Sequence, residues 1–109
     1  WLKTNFFNIF VVVNIINRQT LKNYCLIHAE ACEGLETWYK VAKKAEWSNF
    51  NEVREVYPSA DQVGDNRMVF NIKGNKFRLI VRFSFIYKVI LVKWFGTHAE
   101  YDKIDVTKV

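Results

Sequence analysis

Apolar residues in the first half of the chain recur at steps of three and four positions, the spacing of one face of an α-helix. Two stripes show this spacing, one formed by Leu21, Tyr24, Cys25 and Ile27, the other by Leu35, Trp38, Tyr39, Ala42 and Ala45. They predict amphipathic helices over residues 18–28 and 31–47. Ser48 is a good N-cap for a third, shorter helix to residue 55, since Pro58 disfavours helical backbone just before it.

After residue 66 the period changes, and apolar and polar residues alternate as they do along half-buried strands. Three strands are predicted over residues 67–72, 75–84 and 87–95. Between the first two, Lys73-Gly74-Asn75 supplies residues that tolerate a positive φ, which indicates a hairpin. A β-branched run over residues 11–16 predicts one earlier strand, followed by Asn17 as a helix cap.

The end of the chain favours a short helix. Thr97 and Glu100 have the spacing of a capping box, in which each side chain accepts a hydrogen bond from the other residue's backbone N–H. A terminal helix is therefore expected over residues 97–104. Helices first and hairpin-connected strands afterwards indicate an α+β fold, with N-terminal helices packed on one face of a small antiparallel β-sheet.

The chain of 109 residues has the length of one domain, which we place at residues 13–109. Residues 1–12 are interpreted as an N-terminal extension. The apolar start is shorter than the ~20 residues that a membrane-spanning helix needs, and it has neither the basic segment nor the cleavage site of a signal peptide. We expect no association with a membrane and a cytoplasmic location.

The net charge of +5 is concentrated in one segment. Residues 66–99 contain no Asp or Glu and seven cations, which are Arg67, Lys73, Lys76, Arg78, Arg82, Lys88 and Lys93. A long cationic segment favours a polyanionic partner such as a nucleic acid. The alternative is a solvated sheet whose charges prevent edge-to-edge aggregation.

Two cysteines, Cys25 and Cys32, are too few for a disulfide framework, and we expect them to be free, buried and in a reducing compartment. With His28 they form C-x2-H-x3-C. Structural zinc takes four ligands, and His98 is the only other histidine, so no metal site is predicted.

Arg78 and Arg82 are expected on one face of the strand over residues 75–84, because side chains alternate along a strand. The opposite, core-facing set is Phe77, Leu79, Val81 and Phe83. Guanidinium groups on an open sheet face, near the hairpin lysines, suit phosphate binding. The facing of the strand over residues 87–95 stays ambiguous, and a bulge or a sheet covered on both sides would let Lys93 approach Arg78.

The terminal helix would place His98, Tyr101 and Asp102 on one face, at positions i, i+3 and i+4. Histidine exchanges a proton near neutral pH, tyrosine donates a hydrogen bond or a proton, and aspartate can orient either. The alternative is a docked helix with Tyr101 packed and His98 solvated.

Three stretches of the chain resemble one known family. WYKVAKKAEWSNFNEVREVYPSADQV, VFNIKGNKFRLIV and KWFGTHAEYDKI are similar to HigB-type toxins of type II toxin–antitoxin systems, which are mRNA interferases related to the RelE fold. The resemblance runs from about residue 13 to residue 104. Its most specific parts are the N-I-x-G-N-x-F-R-L-I hairpin and the T-H-A-E-Y-D ending.

This resemblance implies an endoribonuclease that cleaves mRNA, commonly on the ribosome, without metal or organic cofactor. The attack of a 2′-hydroxyl on the adjacent phosphate needs a base, an acid and stabilising cations. By position, the resemblance implies Arg78 as the transition-state cation, Lys93 as its helper, and His98 and Tyr101 as proton-transfer groups in an order left open. The residues implied to hold the RNA are Lys73, Asn75, Lys76, Arg82 and Lys88.

The expected partners are mRNA, the ribosome and a helix-turn-helix antitoxin. Asp102 would orient His98 or make a structural bond, and Glu100 would be occupied in the cap. The alternative function is a non-catalytic RNA-binding or interaction module on the same fold.

Overall fold

The structure is a computed structural model and describes residues 14–109. The extension assigned to residues 1–12 and the first part of the strand predicted over residues 11–16 lie outside the described residues. The elements are β1 (Asn14–Ile16), α1 (Arg18–Ile27), α2 (Cys32–Ala45), α3 (Phe50–Val56), β2 (Asp61–Val63), β3 (Arg67–Ile72), β4 (Phe77–Ser84), β5 (Val89–Thr97) and α4 (His98–Tyr101). A 3-10 turn connects α1 to α2.

Five strands of the described chain form one sheet in the order β1-β5-β4-β3-β2. Strands β2 to β5 are antiparallel, and β1 adds to the edge of β5 in parallel. The α+β fold, with helices first and a short helix after the sheet, is confirmed. Strand β2 was not predicted, because its three residues belong to a polar connection and owe their extended conformation to pairing with β3.

The core lies between the helices and one face of the sheet, as predicted. Phe77, Leu79, Val81 and Phe83 of β4 are buried there together with residues of α1, α2 and α3. Aromatic edge-to-face contacts connect the layers: the ring centroids of Trp38 and Phe70 lie 5.4 Å apart. Each such fully buried side chain contributes roughly 1.5–3 kcal/mol by leaving water.

A bulge in β5 resolves the ambiguous facing of this strand. Ile80 pairs with Trp94, but Val81 pairs with Val92, so Lys93 is the extra residue. Val92 is buried in the core together with Phe95, three positions further along. No strict alternation can describe a strand whose register shifts in the middle.

Several helix boundaries and caps differ from the expectation. Helix α1 ends at Ile27, whose side chain is 72% exposed rather than in the core stripe, because the chain turns away at residue 28. Asn17 is the N-cap of α1 at a φ of 75°, yet its side chain makes no capping bond. Helix α3 is capped by Asn49, which accepts a hydrogen bond from the N–H of Glu52 at 3.0 Å, and Ser48 is not the cap.

The expectation of free, buried cysteines was wrong. A disulfide joins Cys25 on α1 to Cys32 at the start of α2, with Cα atoms 4.6 Å apart, and both side chains are partly exposed. The tight α1–α2 connection brings them together, which spacing alone does not reveal. The disulfide removes the argument for a reducing compartment and occupies both sulfurs of the C-x2-H-x3-C group.

Across residues 14–109, none of the helices combines the length and the apolar character needed to cross a membrane.

Candidate active site

Arg78 is the centre of a polar cluster on the sheet face opposite the core. Arg78 lies on β4, where it pairs with Asn71 of β3 on one side and with Gly96 of β5 on the other. Only 8% of Arg78 is exposed. The guanidinium donates from Nη1 to the backbone carbonyls of Asn75 (3.0 Å) and Phe77 (3.2 Å), and from Nη2 to Asn75 Oδ1 (3.1 Å).

The charge of Arg78 is held by neutral acceptors. Within residues 14–109 no carboxylate forms an ion pair with Arg78, whereas Arg67 and Arg82 each pair with Asp65 at 3.0 Å. Buried charges in proteins are normally paired with an opposite charge. Arg78 is therefore a positive centre without a carboxylate partner among the described residues, which suits an anion that arrives from outside the protein.

His98 is the fourth partner of Arg78. Arg78 Nη2 lies 2.7 Å from His98 Nδ1, and His98 Nε2 lies 3.4 Å from Asp102 Oδ2. Since a guanidinium only donates, Nδ1 must be the acceptor, and the neutral ring carries its proton on Nε2, facing the carboxylate. The predicted Asp102–His98 pair is present, and both side chains are about half exposed.

Two backbone features fix where α4 begins. The N–H of His98 donates to the carbonyl of Lys76 at 2.8 Å, which ties the helix start to the β3–β4 hairpin. The predicted capping box is confirmed: Glu100 Oε1 accepts from the N–H of Thr97 at 2.8 Å, and Thr97 Oγ1 accepts from the N–H of Glu100 at 3.2 Å. These bonds lower the pKa of Glu100 and occupy its carboxylate.

Tyr101 covers the same sheet face from above. Its ring centroid lies 5.8 Å from the Arg78 guanidinium carbon and 6.3 Å from the ring of Trp94. Burial raises the pKa of Tyr101, the charges of Asp61 and Asp102 add to this, and the charge of Arg78 opposes it. The phenol therefore keeps its proton at neutral pH and can donate a hydrogen bond.

The second sheet face is consequently not the open surface that the sequence suggested. Ile80, between Arg78 and Arg82, is completely buried. Helix α4 packs on β4 and β5, and Arg67 Nη2 donates to the carbonyl of Val109 at 2.9 Å. The cations of this face are separated by covered apolar surface.

Glycine at position 96 allows these groups to approach closely. A Cβ atom there would lie 2.6 Å from the Trp94 ring and 2.9 Å from Glu100 Oε1. Because Gly96 pairs with Arg78, the missing side chain lets the indole and the capping carboxylate lie beside the cluster.

The role of Asn75 differs from the one implied by the resemblance. Both its backbone oxygen and its side-chain oxygen accept from Arg78, so Asn75 is occupied in holding the guanidinium. Asn75 lies three residues before Arg78, just before the start of β4, and this spacing could have indicated the contact from the sequence. The parts played by the carbonyls of Lys76 and Phe77 have no such signal, since any residue supplies a carbonyl.

Lys73 and Lys76 lie in the hairpin beside the cluster, as expected, but they share an acidic partner. Glu30 Oε2 is 3.3 Å from Lys73 Nζ and 3.7 Å from Lys76 Nζ. A hydrogen bond from Lys73 and its charge lower the pKa of Glu30. The cationic segment is therefore partly neutralised by a residue distant in sequence.

Two of the remaining predicted cations, Arg82 and Lys88, lie away from Arg78. Arg82, expected near the hairpin lysines, is four residues along β4, about 13 Å at 3.3 Å per residue, and is paired with Asp65. Lys88 lies in the β4–β5 turn, at the opposite end of the sheet from Arg78. Lys93 occupies the bulge, and the described contacts include no bond between it and Arg78.

Helices covering one face of a small, mainly antiparallel sheet, with Arg78, His98 and Tyr101 clustered on the other, are consistent with the RelE-like class of fold. A family model described as HigB_toxin, the RelE-like toxic component of a toxin–antitoxin system, matches residues 31–104, and the chain belongs to this family. Membership implies an antitoxin as a partner.

A curated relative agrees with this assignment. The chain is 28% identical over 94 residues to a protein of Escherichia coli O6:H1 (strain CFT073) named mRNA interferase HigB. The matched region covers 84% of this chain and 91% of the relative.

Proposed function

We propose that this toxin is an endoribonuclease that cleaves mRNA on the ribosome without a metal ion, in the cytoplasm, and that a helix-turn-helix antitoxin silences it. Its catalytic groups are Arg78, His98 and Tyr101, with Lys93 as an additional cation. The name of the Escherichia coli relative and the chemistry of the cluster support this proposal.

Cleavage would proceed through attack of an RNA 2′-hydroxyl on the adjacent phosphate. The phosphate gains negative charge in the transition state, and a buried guanidinium stabilises that charge more strongly than a solvated one. Arg78 can offer two parallel N–H donors to a phosphate. His98 and Tyr101, which lie against Arg78, supply proton transfer. Lys73 and Lys76 would release Glu30 and bind phosphates of the RNA backbone in its place.

One observation carries the proposal: a nearly buried arginine, which among residues 14–109 is bonded to neutral acceptors alone, lies 2.7 Å from a histidine nitrogen. A structural arginine would be expected to have a carboxylate, as Arg67 and Arg82 have. The arrangement thus combines an anion site with a proton-exchanging group.

Growth arrest on induction tests the proposal. Cells expressing Arg78→Ala or His98→Ala, each shown by circular dichroism to be folded, are expected to keep growing, whereas the parent chain arrests growth. Lys108→Ala is the matched control, because it removes one exposed cation whose ion pair is with Asp105 and not with the cluster, and it should arrest growth as the parent does. Arrest by both cluster variants at parental strength would contradict the proposed site.

A non-catalytic RNA-binding module is the competing function. It would arrest growth without producing new transcript ends. Mapping the 5′ ends of transcripts after induction separates the two, since an endoribonuclease leaves new ends and a binder does not.

A further inference from the structure

Nδ1 of His98 is engaged in this structure, and Nε2 lies near a carboxylate. Nδ1 accepts from Arg78 at 2.7 Å, and Nε2 carries the proton that faces Asp102 at 3.4 Å. A general base needs a free lone pair, and the only lone pair of the neutral ring is covered by the guanidinium. The observed arrangement is therefore a resting state in which Arg78 masks His98.

The contact between Arg78 and His98 also shows what would free the Nδ1 lone pair. Arg78 Nη2 has two N–H groups, of which one donates to Asn75 Oδ1 and the other to His98 Nδ1, and both acceptors are neutral. A phosphate is a charged, bidentate acceptor and binds a guanidinium more strongly than either. When Arg78 turns to the phosphate, the Nδ1 lone pair becomes free next to the bound phosphate.

Resting on the function proposed above, we infer that His98 is the general base, acting through Nδ1, and that the scissile phosphate itself activates it by withdrawing Arg78. The order of the proton transfers then follows. Tyr101, whose ring centroid lies 5.8 Å from the guanidinium carbon of Arg78, is then the donor to the leaving group.

The reaction step balances. The 2′-oxygen forms a bond to phosphorus while its proton moves to Nδ1. The bond between phosphorus and the 5′-oxygen breaks, and that oxygen takes the proton of the Tyr101 hydroxyl. The products are a 2′,3′-cyclic phosphate and a 5′-hydroxyl end. Imidazolium and phenolate then return to their resting forms by exchanging a proton through water.

The charged groups around His98 are consistent with this role. Arg78 faces it from β4, while Asp102 and Tyr101 face it from α4, and Lys76 of the hairpin approaches through its backbone carbonyl. The imidazolium formed during the reaction is stabilised by Asp102, and the departure of Arg78 toward the phosphate removes the nearest repulsive charge.

The test is the pH dependence of single-turnover cleavage of ribosome-bound mRNA by the full chain, between pH 5.5 and 8.5. The parent rate should rise with pH along a limb of unit slope within this range, because a single base must lose its proton before it can act. Tyr101→Phe should be slower but keep the limb. His98→Ala should lose the limb and at least ~100-fold in rate, and Lys108→Ala should match the parent.

Addition of imidazole to His98→Ala gives a second readout. Rescue that increases with the fraction of free-base imidazole supports the base assignment. Rescue that follows the imidazolium fraction, a parental limb that falls with pH, or a limb that survives in His98→Ala would overturn it. If the parent chain produces no cleavage at all, the proposed function fails instead, so the two failures are distinguishable.

Discussion

At the scale of single residues, the site depends on how the positive charge of Arg78 is held inside the protein. Arg78 is buried among carbonyl and amide oxygens and one imidazole nitrogen, which satisfy its N–H groups without cancelling its charge. Arg82, on the same strand, is instead paired with the carboxylate of Asp65. The difference predicts that only one of these arginines is available to an incoming phosphate.

Asn75 tests this view of Arg78. Asn75→Ala removes one of the acceptors that orient the guanidinium, and cleavage is expected to slow by roughly tenfold or more, because small misplacements of a catalytic group are costly. Asn75→Asp keeps the shape but adds the missing carboxylate. It should also lower cleavage, mainly by weakening substrate binding, while melting no lower than Asn75→Ala.

Cleavage rates and melting temperatures of both variants check this prediction. If Asn75→Asp cleaves as fast as the parent, Arg78 does not act as an uncompensated cation.

Gly96→Ala is expected to destabilise the protein by about 1–3 kcal/mol, since the new methyl group would overlap the Trp94 ring in a packed region. Gly64→Ala is the matched control, because nothing lies within 4 Å of its Cβ position. Urea unfolding of both variants measures the effect. Equal stability of the two variants would contradict the prediction, because it would show that the Trp94 ring moves aside at no cost in free energy.

At the scale of elements, the β3–β4 hairpin and α4 form the site together. The hairpin supplies Asn75 and the carbonyl of Lys76, β4 supplies Arg78, and α4 supplies His98. Because the first turn of α4 is set by its cap, the cap determines where the imidazole lies.

Thr97→Ala should therefore lower both stability and cleavage. Loss of an N-cap side chain costs about 1 kcal/mol. Thr37→Ala, on the exposed surface of α2, is the control and should be neutral or slightly stabilising, because alanine favours helices. Thermal melts and cleavage rates of the two variants decide the matter, and an unchanged Thr97→Ala protein would contradict the role of the cap.

The cap also has a predictable pH dependence. Hydrogen bonds from Thr97 lower the pKa of Glu100 below its ordinary value of 4.5. A lowered pKa in the folded state means that the carboxylate stabilises the fold above pH 4.5 and that this contribution is lost as the pH falls through the lowered pKa. Glu100→Gln should reduce the loss of melting temperature between pH 6 and pH 3. An identical loss in parent and variant would contradict it.

Elements with strong local patterns were predictable, and those set by distant partners were not. The bounds of β3 agree with the prediction because Lys73 and Gly74, both at positive φ, end it, whereas β4 begins two residues later than expected, since Asn75 and Lys76 belong to the turn. The bulge at Lys93 and strand β2 depend on pairing with other strands. Likewise Glu30 and Asp65 reach their cations only through the fold.

Among the site residues, the face shared by His98, Tyr101 and Asp102 followed from helix periodicity. The 2.7 Å contact of His98 with Arg78 did not, because it joins two elements whose relative placement no local pattern encodes. The catalytic roles of Arg78, Lys93, His98 and Tyr101 stay a prediction.

At the scale of the whole molecule, the core and the site occupy opposite faces of one sheet, so that burial of aromatic side chains stabilises the strand that presents Arg78. Burial raises the pKa of Tyr24, Tyr57 and Tyr101. Because the folded state holds these protons more strongly than the unfolded state, stability should be intact below pH 10 and fall as the pH rises beyond it. Thermal melts between pH 8 and pH 11 check this, and a flat profile would contradict it.

The central claim is that the Arg78 and His98 cluster cleaves mRNA. Its most direct test is mapping of transcript 5′ ends in cells expressing the parent chain, Arg78→Ala or His98→Ala at equal levels of folded protein. The account predicts new ends inside coding regions for the parent and their loss in both variants. New ends of equal abundance in all three, or none with the parent despite growth arrest, would contradict it.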